Sequence, residues 1–576
     1  MSLKQWMATK SLDTLVGETS EPGHQLRRTL GPVQLTALGI GAIIGAGIFS
    51  TVGTAAAGGS EHLGAGPAVA LSFVLTAIAC GFAALCYAEF ASMVPVSGSA
   101  YTYAYATLGE IIAWIIGWDL ILEYAIGNIA VAVSWSGYFQ ELMSGLGFAI
   151  PKWAGIDYRS AAQAARQVAD AQAAGLDPAS LGPVVLRAAD AFHAAPHLGS
   201  LPIILDIPAF AIVALITWVL VRGIRESAWV NSWMVALKLV IIGFFIIVGA
   251  VYVKPDNWTP FAPNGFKGIS SAAAIIFFAY IGFDAVSTAA EETRNPQRDM
   301  PIAMMASLGI CTVIYILTAL VLTGLLPWNQ LATAEPLATA FSALGMHWAA
   351  GIIALGAVFA TTSVLIVFQL GQPRIFFSMA RDGLLPEWAA RVHPRFRTPH
   401  ITTILTGVFV AVFATLLNIN EVVELTNIGT LFAFVLVSLG IIVLRRTDPD
   451  RPRPFRTPLV PWVPLASVAM CGYLMLQLPV RTWERFVIWL VLGLLVYLLY
   501  GVRHSRLRGA GKVEASSEEQ GARGKEQGAR SKEQAARSRR WKTRNRKSRP
   551  AEEAAPSSSV ACCSHWRLPR STSSSR

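Results

Sequence analysis

The chain has 576 residues, of which 54% are hydrophobic and 14% are charged. Soluble domains carry about 25% charged residues, so a soluble multi-domain enzyme is nearly excluded. The net charge of +11 comes from the end of the chain, because residues 503–576 hold 19 Lys and Arg against 7 Asp and Glu. The rest of the chain is almost neutral, and the overall charge therefore identifies no partner for it.

Twelve apolar segments occur between Gly31 and Tyr500, and each is long enough to cross a bilayer, which takes about 20 helical residues. They must be helices, because every backbone N–H and C=O in hydrocarbon needs a partner within its own segment. We therefore predict an all-α polytopic protein with 12 transmembrane helices embedded in the lipid bilayer. Their centres lie near Ile43, Ile78, Ile121, Val213, Ile241, Ala279, Tyr315, Phe359, Val410, Phe434, Met470 and Val491.

The positive charges predict the orientation of these helices. If residues 1–30 are a cytoplasmic segment, the inner connections carry most of the Arg residues and the short outer connections carry few. Cytoplasmic connections of membrane proteins are enriched in Lys and Arg. The protein is therefore predicted to lie in the plasma membrane with both termini on its cytoplasmic side. The polar start of the chain shows no pattern of a cleavable signal peptide.

Residues 31–502 form the predicted transporter domain, and residues 140–200 within it are predicted to be a helical insertion on the outer face. This insertion contains His193 and His197, whose spacing can suit a metal ion. Pro196 lies between them and no carboxylate is suitably placed, so no metal site is predicted.

The last part of the chain, residues 503–576, carries a seven-residue repeat whose only apolar residue is Ala. Such a repeat cannot form the apolar seam of a coiled coil. We predict a disordered cytoplasmic tail, which can lie on anionic lipid. No specific nucleic-acid partner is predicted.

The first apolar segment contains four glycines in nine residues, each costing a continuous helix about 1 kcal/mol relative to Ala. A dinucleotide-binding loop would need a preceding strand and a following acidic residue, and both are missing. Close helix packing through a GxxxG step is a second interpretation. A broken helix, whose free N–H groups face an anion, is the third. The glycines are Gly39, Gly41, Gly45 and Gly47.

The sixth apolar segment favours the third interpretation. It contains the string FFAYIGFD, from Phe277 to Asp284, with a glycine in the middle of the span. Interrupted helices at corresponding places in two halves indicate an inverted-repeat transporter with its site between them. Free N–H groups of the first break suit a carboxylate, and free carbonyls of the second suit an ammonium group. A ligand with both groups is an α-amino acid.

Three strings, GIGAIIGAGIF, GFDAVSTAAEETRNPQRDMP and GQPRIFFSMARDGLLP, resemble the amino acid–polyamine–organocation (APC) superfamily of permeases. The resemblance is strongest to bacterial members similar to cationic amino acid transporters, and it runs from about Leu30 to about Tyr500. It implies a LeuT-like 5+5 inverted repeat plus two C-terminal helices. It also implies alternating access and proton-driven symport without sodium. No cofactor is implied.

The same resemblance implies a set of binding residues, with Phe283 as an aromatic gate over the occupied site. Many relatives have Ser or Thr at the position of Ala46, so here backbone donors must suffice for the carboxylate. The implied residues are Ile44, Gly45, Ala46 and Gly47 for the substrate carboxylate, and the carbonyls of Phe278, Ala279 and Ile281 for its amino group.

Lys238 is the only basic residue inside a predicted span. A charge at the bilayer centre costs at least about 2.5 kcal/mol, so an intramembrane lysine is a functional candidate. We predict that Lys238 couples transport to protons; the alternative is a structural tether between helix ends. By resemblance it occupies the place where sodium-coupled relatives hold their ion.

Carboxylates in and near the spans complete the predicted site. The resemblance favours Glu123 as the partner of Lys238 and as a second proton-coupling residue. Asp119 shares its helical face, but is expected to pair near the membrane surface. Glu89 and Asp284 are predicted to form salt bridges at inner helix ends.

The functional prediction is a proton symporter for cationic or small neutral L-amino acids. An amino acid or polyamine exchanger with the same fold is the alternative. A membrane enzyme is disfavoured, because the spans contain no nucleophile with a suitable base. A channel is disfavoured, because no ring of filter residues is apparent.

Overall fold

The computed structural model describes residues 9–10, 30–59, 62–93, 99–199, 201–222, 228–396, 398–507 and 531–541. The chain divides into two units, residues 1–509 and residues 510–576. Within the described part of the second unit, residues 531–541 form an exposed helix. The prediction of a disordered tail and that of a cytoplasmic N-terminal segment fall mostly on residues outside the described part.

The first half of the chain forms a series of helices interrupted by one short hairpin. A π-helical turn, Gly47–Thr51, lies directly before α2. The hairpin pairs β1 (His197–Leu198) with β2 (Leu201–Pro202). The helices are α1 (Pro32–Ile43), α2 (Val52–Ala57), α3 (Val69–Met93), α4 (Ser99–Thr107), α5 (Glu110–Gly145), α6 (Tyr158–Ala173), α7 (Pro183–His193), α8 (Ile207–Arg222) and α9 (Ala228–Val251).

In the second half, every long element is an α-helix. Two 3-10 turns, Phe277–Tyr280 and Asp284–Glu292, follow α10. The helices are α10 (Gly265–Ile276), α11 (Pro296–Leu325), α12 (Pro336–Ala343), α13 (His347–Arg381), α14 (His400–Ala414), α15 (Ile419–Thr447), α16 (Trp462–Leu476) and α17 (Val480–Val496). All twelve predicted segment centres lie in these helices or in the 3-10 turn after α10.

Among the described residues, 8 helices are long and apolar enough to cross a membrane, and the bent pair Pro32–Ile43 and Gly47–Ala57 raises the number to 9. The two halves of this pair differ in direction by 42°. Helices α8, α14 and α16 are apolar but shorter. The chain is therefore a multi-pass membrane protein, as the apolar segments predicted, and its described part is helical apart from the short β1–β2 hairpin.

The helix α5 lies at the centre of the bundle and α17 at its edge. In the apolar 18-residue stretch of α5, 89% of the residues are buried, against 22% in that of the span Val480–His504, which begins with α17. Helices α13 and α15 pack along α5. Buried polar side chains, among them Glu123, Lys238 and Asn427, lie inside this bundle. Large apolar side chains such as Ile488 and Leu492 of α17 remain exposed, as contact with lipid requires.

Helices α6 and α7 and the β1–β2 hairpin form a small cap beyond the end of α5. Asp157 caps α6, because its carboxylate accepts a hydrogen bond from the Ser160 N–H at 2.8 Å. The N–H of Tyr158 donates to the carbonyl of Thr415, in the loop between α14 and α15, at 3.0 Å. Arg159 and Arg485 both pair with Glu421 at the start of α15. We call this end of the molecule the cap end.

The loop before α12 lies against the first broken helix at the cap end. The hydroxyl of Ser50 donates to the carbonyl of Ala334. A Cβ placed on Gly53 would lie 2.2 Å from the carbonyl oxygen of Leu331. Glu335 lies next to α5, since a Cβ on Gly137 would be 2.9 Å from its Oε2 atom. The loop therefore covers the second half of the first span closely.

At the opposite end, several segments meet at Asp382, just after α13. Its carboxylate pairs with the Lys10 ammonium at 3.3 Å and accepts a hydrogen bond from the Tyr101 hydroxyl at 2.7 Å. Its backbone carbonyl accepts a hydrogen bond from the Arg506 N–H at 3.1 Å. One residue thus joins the beginning and the end of the first unit.

Glu89 forms a buried ion pair at the same end. Its carboxylate pairs with Arg445 at 2.8 Å and with Arg453 at 3.3 Å, and it accepts the Thr457 N–H at 2.7 Å. The predicted salt bridge of Glu89 is present. Its partners come from the end of α15 and the loop that follows.

Candidate substrate-binding site

The first apolar span is broken in the middle, as its glycines predicted. Helix α1 ends with a hydrogen bond from the Ile44 N–H to the Ile40 carbonyl at 2.9 Å, and Ile44 itself is extended. The Phe49 N–H donates to the Gly45 carbonyl at 3.3 Å and begins the second half. The first N–H groups of a helix have no partner within it and carry partial positive charge. Residues 45–48 therefore present a helix N-terminus inside the bundle.

The second predicted break is also present. After α10 and the turn Phe277–Tyr280, Ile281 is extended and Gly282 has a φ of 120°. Residues with side chains rarely adopt this conformation, so glycine is needed there. The N–H of Gly282 donates to the Asp284 carboxylate at 3.2 Å. The chain then continues as the 3-10 turn Asp284–Glu292.

The two breaks touch each other through their backbones. A Cβ on Gly47 would lie 2.2 Å from the Cα of Ala279, and a Cβ on Gly282 would lie 2.8 Å from the carbonyl carbon of Ala42. Each break thus contributes one glycine to the contact. Gly45 faces a side chain instead, since its Cβ would lie 2.8 Å from Val364. The broken-helix interpretation of the glycines is therefore correct, and Gly45 also packs closely against α13.

Tyr315, on α11, bridges the two breaks and was not predicted as a site residue. Its hydroxyl lies 2.9 Å from the Ile43 carbonyl and 3.0 Å from the Ala279 carbonyl. A phenol has a single proton, so it can donate fully to only one of them at a time. The only sequence signal for this role was a tyrosine at the centre of the seventh apolar segment.

Lys238 is 1% exposed and lies behind the first break. Its ammonium donates to the carbonyl of Gly41 at 2.7 Å and to that of Ile44 at 3.0 Å. The predicted pairing with Glu123 is wrong, because Lys238 forms no salt bridge within the described ranges of the chain. The last carbonyls of a helix lack intrahelical partners and carry partial negative charge, which explains why the ammonium binds there. This is the tether geometry that the sequence left open.

A small cavity is enclosed by four segments: the two helix breaks and the helices α5 and α13. Its volume is about 10 Å³, about the space that one water molecule needs. An amino acid is far larger, so binding requires the surrounding helices to move apart. The cavity is lined by Ala42 of α1, Glu123 and Tyr124 of α5, Ile281 and Asp284 of the second break, and Val364 and Phe368 of α13.

The structure brings only part of the predicted site to this cavity. Glu123 and Ile281 line it directly. The other backbone groups that were predicted to bind the substrate lie in the two break segments, outside the lining of the cavity. They belong to Ile44, Gly45, Ala46, Gly47, Phe278 and Ala279.

Phe283 does not line the cavity in this conformation. Its ring is fully buried and packs against Tyr87 and Phe434, with ring centroids 6.0 and 5.1 Å away. The expected gate over the site is therefore part of an aromatic cluster between α3, α15 and the second break.

Two carboxylates lie elsewhere than expected. Asp284 was assigned to a salt bridge at an inner helix end, but it lines the cavity and accepts the Gly282 N–H. Asp119 was expected to pair near the membrane surface, but it is 0% exposed. Its oxygens have no hydrogen-bond partner among the described residues. Room for the carboxylate comes from Gly429 of α15, whose Cβ would lie 2.6 Å from Oδ1.

Comparison of the sequence with known proteins shows which family the chain belongs to. The sequence profile of the amino acid permease family matches residues 30–497. The chain is 46% identical over 499 residues to the branched-chain amino acid permease BcaP of Bacillus subtilis (strain 168), covering 86% of this chain and 98% of that protein. It is 44% identical over 498 residues to the methylthioribose transporter of the same organism, with the same two coverages.

A plant protein is also similar. The chain is 37% identical over 447 residues to the vacuolar cationic amino acid transporter 4 of Arabidopsis thaliana, covering 77% of this chain and 67% of that protein.

The helical bundle and these matches define the class of the protein as a multi-pass membrane transporter and not an enzyme. The chain belongs to the amino acid permease family. The resemblance seen in the three sequence strings is thereby confirmed.

Proposed function

We propose that the chain carries amino acids into the cell across the plasma membrane by proton-coupled alternating access. The observation that carries this proposal is the direct contact between two helix breaks within the bundle. The amides of residues 45–48 suit a carboxylate, and the carbonyls of Phe278, Ala279 and Ile281 suit an ammonium group. Both groups of an α-amino acid fit between them once the small cavity opens.

The proposed architecture is the LeuT-like 5+5 inverted repeat with two further helices. This proposal is supported by nine candidate spans and three shorter apolar helices among the described residues, which match the predicted number if each shorter helix also crosses the membrane. The two breaks fall in the first and the sixth of these. With both termini inside, the cap end faces outward, and Asp382 and Glu89 face the cytoplasm.

Lys238 and Glu123 are the proposed proton-coupling residues, acting at separate places. The Lys238 ammonium holds the carbonyls of Gly41 and Ile44. Loss of its proton removes the charge from that contact and weakens the hold on the end of α1. Glu123 faces the cavity, where it can contact the cationic part of a substrate.

The names of the relatives support a range of substrates. One is a branched-chain amino acid permease, one a cationic amino acid transporter and one a methylthioribose transporter. Two acidic and several apolar side chains line the cavity, which suits cationic or small neutral L-amino acids. Methylthioribose has neither a carboxylate nor an ammonium group, so the paired helix ends favour an amino acid over it.

A binding screen followed by uptake measurements tests the proposal. Thermal shifts of the purified protein with each of the twenty amino acids, a polyamine and methylthioribose identify the ligand. Uptake of that ligand into proteoliposomes is then measured with and without an imposed proton gradient. We expect an amino acid to bind and its uptake to rise when the outside is acidic.

Two lysine variants separate coupling from general damage. Lys238→Met is expected to remove the response to the gradient. Lys267→Met, at an exposed position, is expected to behave as the wild type. If uptake by the wild type is the same with and without the proton gradient, the proposal of proton coupling is wrong. Counterflow from preloaded vesicles without a gradient would instead identify an exchanger.

A further inference from the structure

The end of α10 is held in the same way as the end of α1. Asn427, on α15, is 0% exposed. Its Nδ2 atom donates to the carbonyl of Ala274 at 2.7 Å and to that of Ile275 at 3.0 Å. Both carbonyls belong to the last turn of α10, directly before the second break. Lys238 makes contacts of 2.7 and 3.0 Å to two carbonyls at the end of α1.

The helices that carry these two donors occupy matching places in the chain. Lys238 lies in the fifth apolar segment and serves the first, whereas Asn427 lies in the tenth and serves the sixth. An inverted repeat of five helices pairs the first segment with the sixth and the fifth with the tenth. In that arrangement the two contacts occupy corresponding places, one in each half.

The two donors differ in the property that matters for coupling. A lysine ammonium can lose a proton and its charge, whereas an amide keeps its two N–H donors at every physiological pH. Cys311 of α11 is the titratable side chain that faces Lys238. Helix α15 faces Glu123 through Thr430 and Asp119 through Gly429, but neither carboxylate contacts the Asn427 amide.

We propose that Asn427 is a positioning residue that keeps the second helix break open for the substrate ammonium group, independently of pH. The hold that Lys238 places on the first break then responds to protons, whereas the hold that Asn427 places on the second break does not. The amide fixes the end of α10, so that the carbonyls of Phe278, Ala279 and Ile281 keep their direction toward the substrate. This inference rests on the function proposed above.

The test compares Asn427→Leu with Asn128→Leu in the uptake assay at several pH values. Leucine is similar in size to asparagine but lacks the donors. Asn128 is equally buried, on α5, and its amide has no hydrogen-bond partner among the described residues. We expect Asn427→Leu to raise KM about tenfold, the effect of losing hydrogen bonds to buried carbonyls. Its pH profile should remain parallel to that of the wild type.

The matched variants decide the outcome. Asn128→Leu should keep the wild-type KM, and Lys238→Met should flatten the pH profile. Asn427→Gln retains the donors on a longer side chain and should raise KM less than leucine does. If Asn427→Leu cannot be purified, Asn427→Ala, which also lacks the donors, takes its place: a raised KM with a parallel pH profile supports the inference, and an unchanged KM overturns it.

Three results oppose the inference while leaving the proposed function intact. They are an unchanged KM in Asn427→Leu, a changed pH profile in that variant, and equal damage from Asn128→Leu. If the wild type itself binds and transports no amino acid, the proposed function fails first, and the inference fails with it.

Discussion

At the crossing of the two helix breaks the contacts run between backbones, whereas at the cap end they run between ionisable side chains. Gly47 lies on Ala279 and Gly282 on Ala42, with no room for a methyl group. At the cap end, Arg159 and Arg485 share Glu421. The centre therefore depends on shape, and the cap end depends on charge. Substitutions and changes of pH or salt should affect the two regions differently.

The largest expected effect comes from adding one methyl group at the crossing. In Gly47→Ala the new Cβ would lie 2.2 Å from a backbone atom of Ala279, which cannot rotate away. Overpacking of this kind costs about 3 kcal/mol. Since the clash is strongest when the two breaks are in contact, we expect it to oppose the conformation with both breaks in contact and to lower uptake by up to about a hundredfold.

Gly309→Ala is the control, because nothing lies within 4 Å of its added Cβ. It should retain full uptake, with a Tm equal to or above that of the wild type, because Ala favours the helix more than Gly does. Normal uptake in Gly47→Ala would show that the two breaks are not in contact during transport.

A smaller effect is expected from Tyr315→Phe. The variant keeps the ring but loses the hydroxyl that faces the Ile43 and Ala279 carbonyls. Loss of a buried hydrogen bond costs about 1 kcal/mol, so uptake at low substrate concentration should fall several-fold. Tyr103→Phe is the control, since the Tyr103 hydroxyl is also buried but faces Ser287 and not the carbonyl of Ile43 or Ala279. Equal effects of the two variants would argue against a role for the Tyr315 bridge.

The cap end should instead respond to pH, through Glu335. Burial raises the pKa of this carboxyl from 4.5 to about 7, the nearby Glu141 adds to the rise, and Arg187 opposes it. The folded protein thus binds this proton more tightly than the unfolded chain does. Its contribution to stability is greatest at low pH and is lost as the pH rises through about 7. We expect Tm to fall over this range by a few °C less in Glu335→Gln than in the wild type.

Two other carboxyls at the cap end limit the size of that difference. Burial raises the pKa of Asp157 to about 6 and that of Asp206 to about 7, while hydrogen bonds from Ser160 and Ser136 oppose the rise. Both remain in Glu335→Gln, so part of the pH dependence should persist. Identical Tm profiles for the variant and the wild type would exclude Glu335 as a contributor.

The smallest effect is expected from Arg159→Ala. The Arg159 side chain is 49% exposed, and surface ion pairs contribute less than about 1 kcal/mol. Its contribution should disappear at high salt, because exposed charges are screened. Arg166→Ala, at an exposed position on the same helix, is the control. The two Tm values should differ slightly at low salt and agree at high salt.

The positions of the spans and of both breaks followed from the sequence, for physical reasons. Bilayer thickness demands long apolar helices, and glycines such as Gly45 and Gly282 weaken a helix wherever they occur. The close packing of Gly47 on Ala279 did not follow, because the packing interpretation concerned the step from Gly41 to Gly45.

The contacts of individual side chains could not be predicted from the sequence, because they depend on how each helix is rotated about its own axis. Helix α5 is buried almost all round, so its sequence has no polar stripe that shows which face meets which neighbour. For this reason Asp119 was placed at the surface and Glu123 was paired with Lys238. The same uncertainty in rotation explains Phe283, which points into the aromatic cluster with Tyr87 and Phe434.

The junction at Asp382 has a practical consequence. The side chain of Lys10 and the backbone of Arg506 both reach this residue, so the two ends of the first unit begin side by side. Fluorescent labels attached at residues 9 and 506 would start at close range and leave the Lys10 side chain in place. Energy transfer between them would fall only when the segment around Lys10 separates from the loop after α13. In a labelled protein in a lipid nanodisc, a fall in energy transfer would therefore indicate that the segments at this end have separated. The measurement would not require a transport assay.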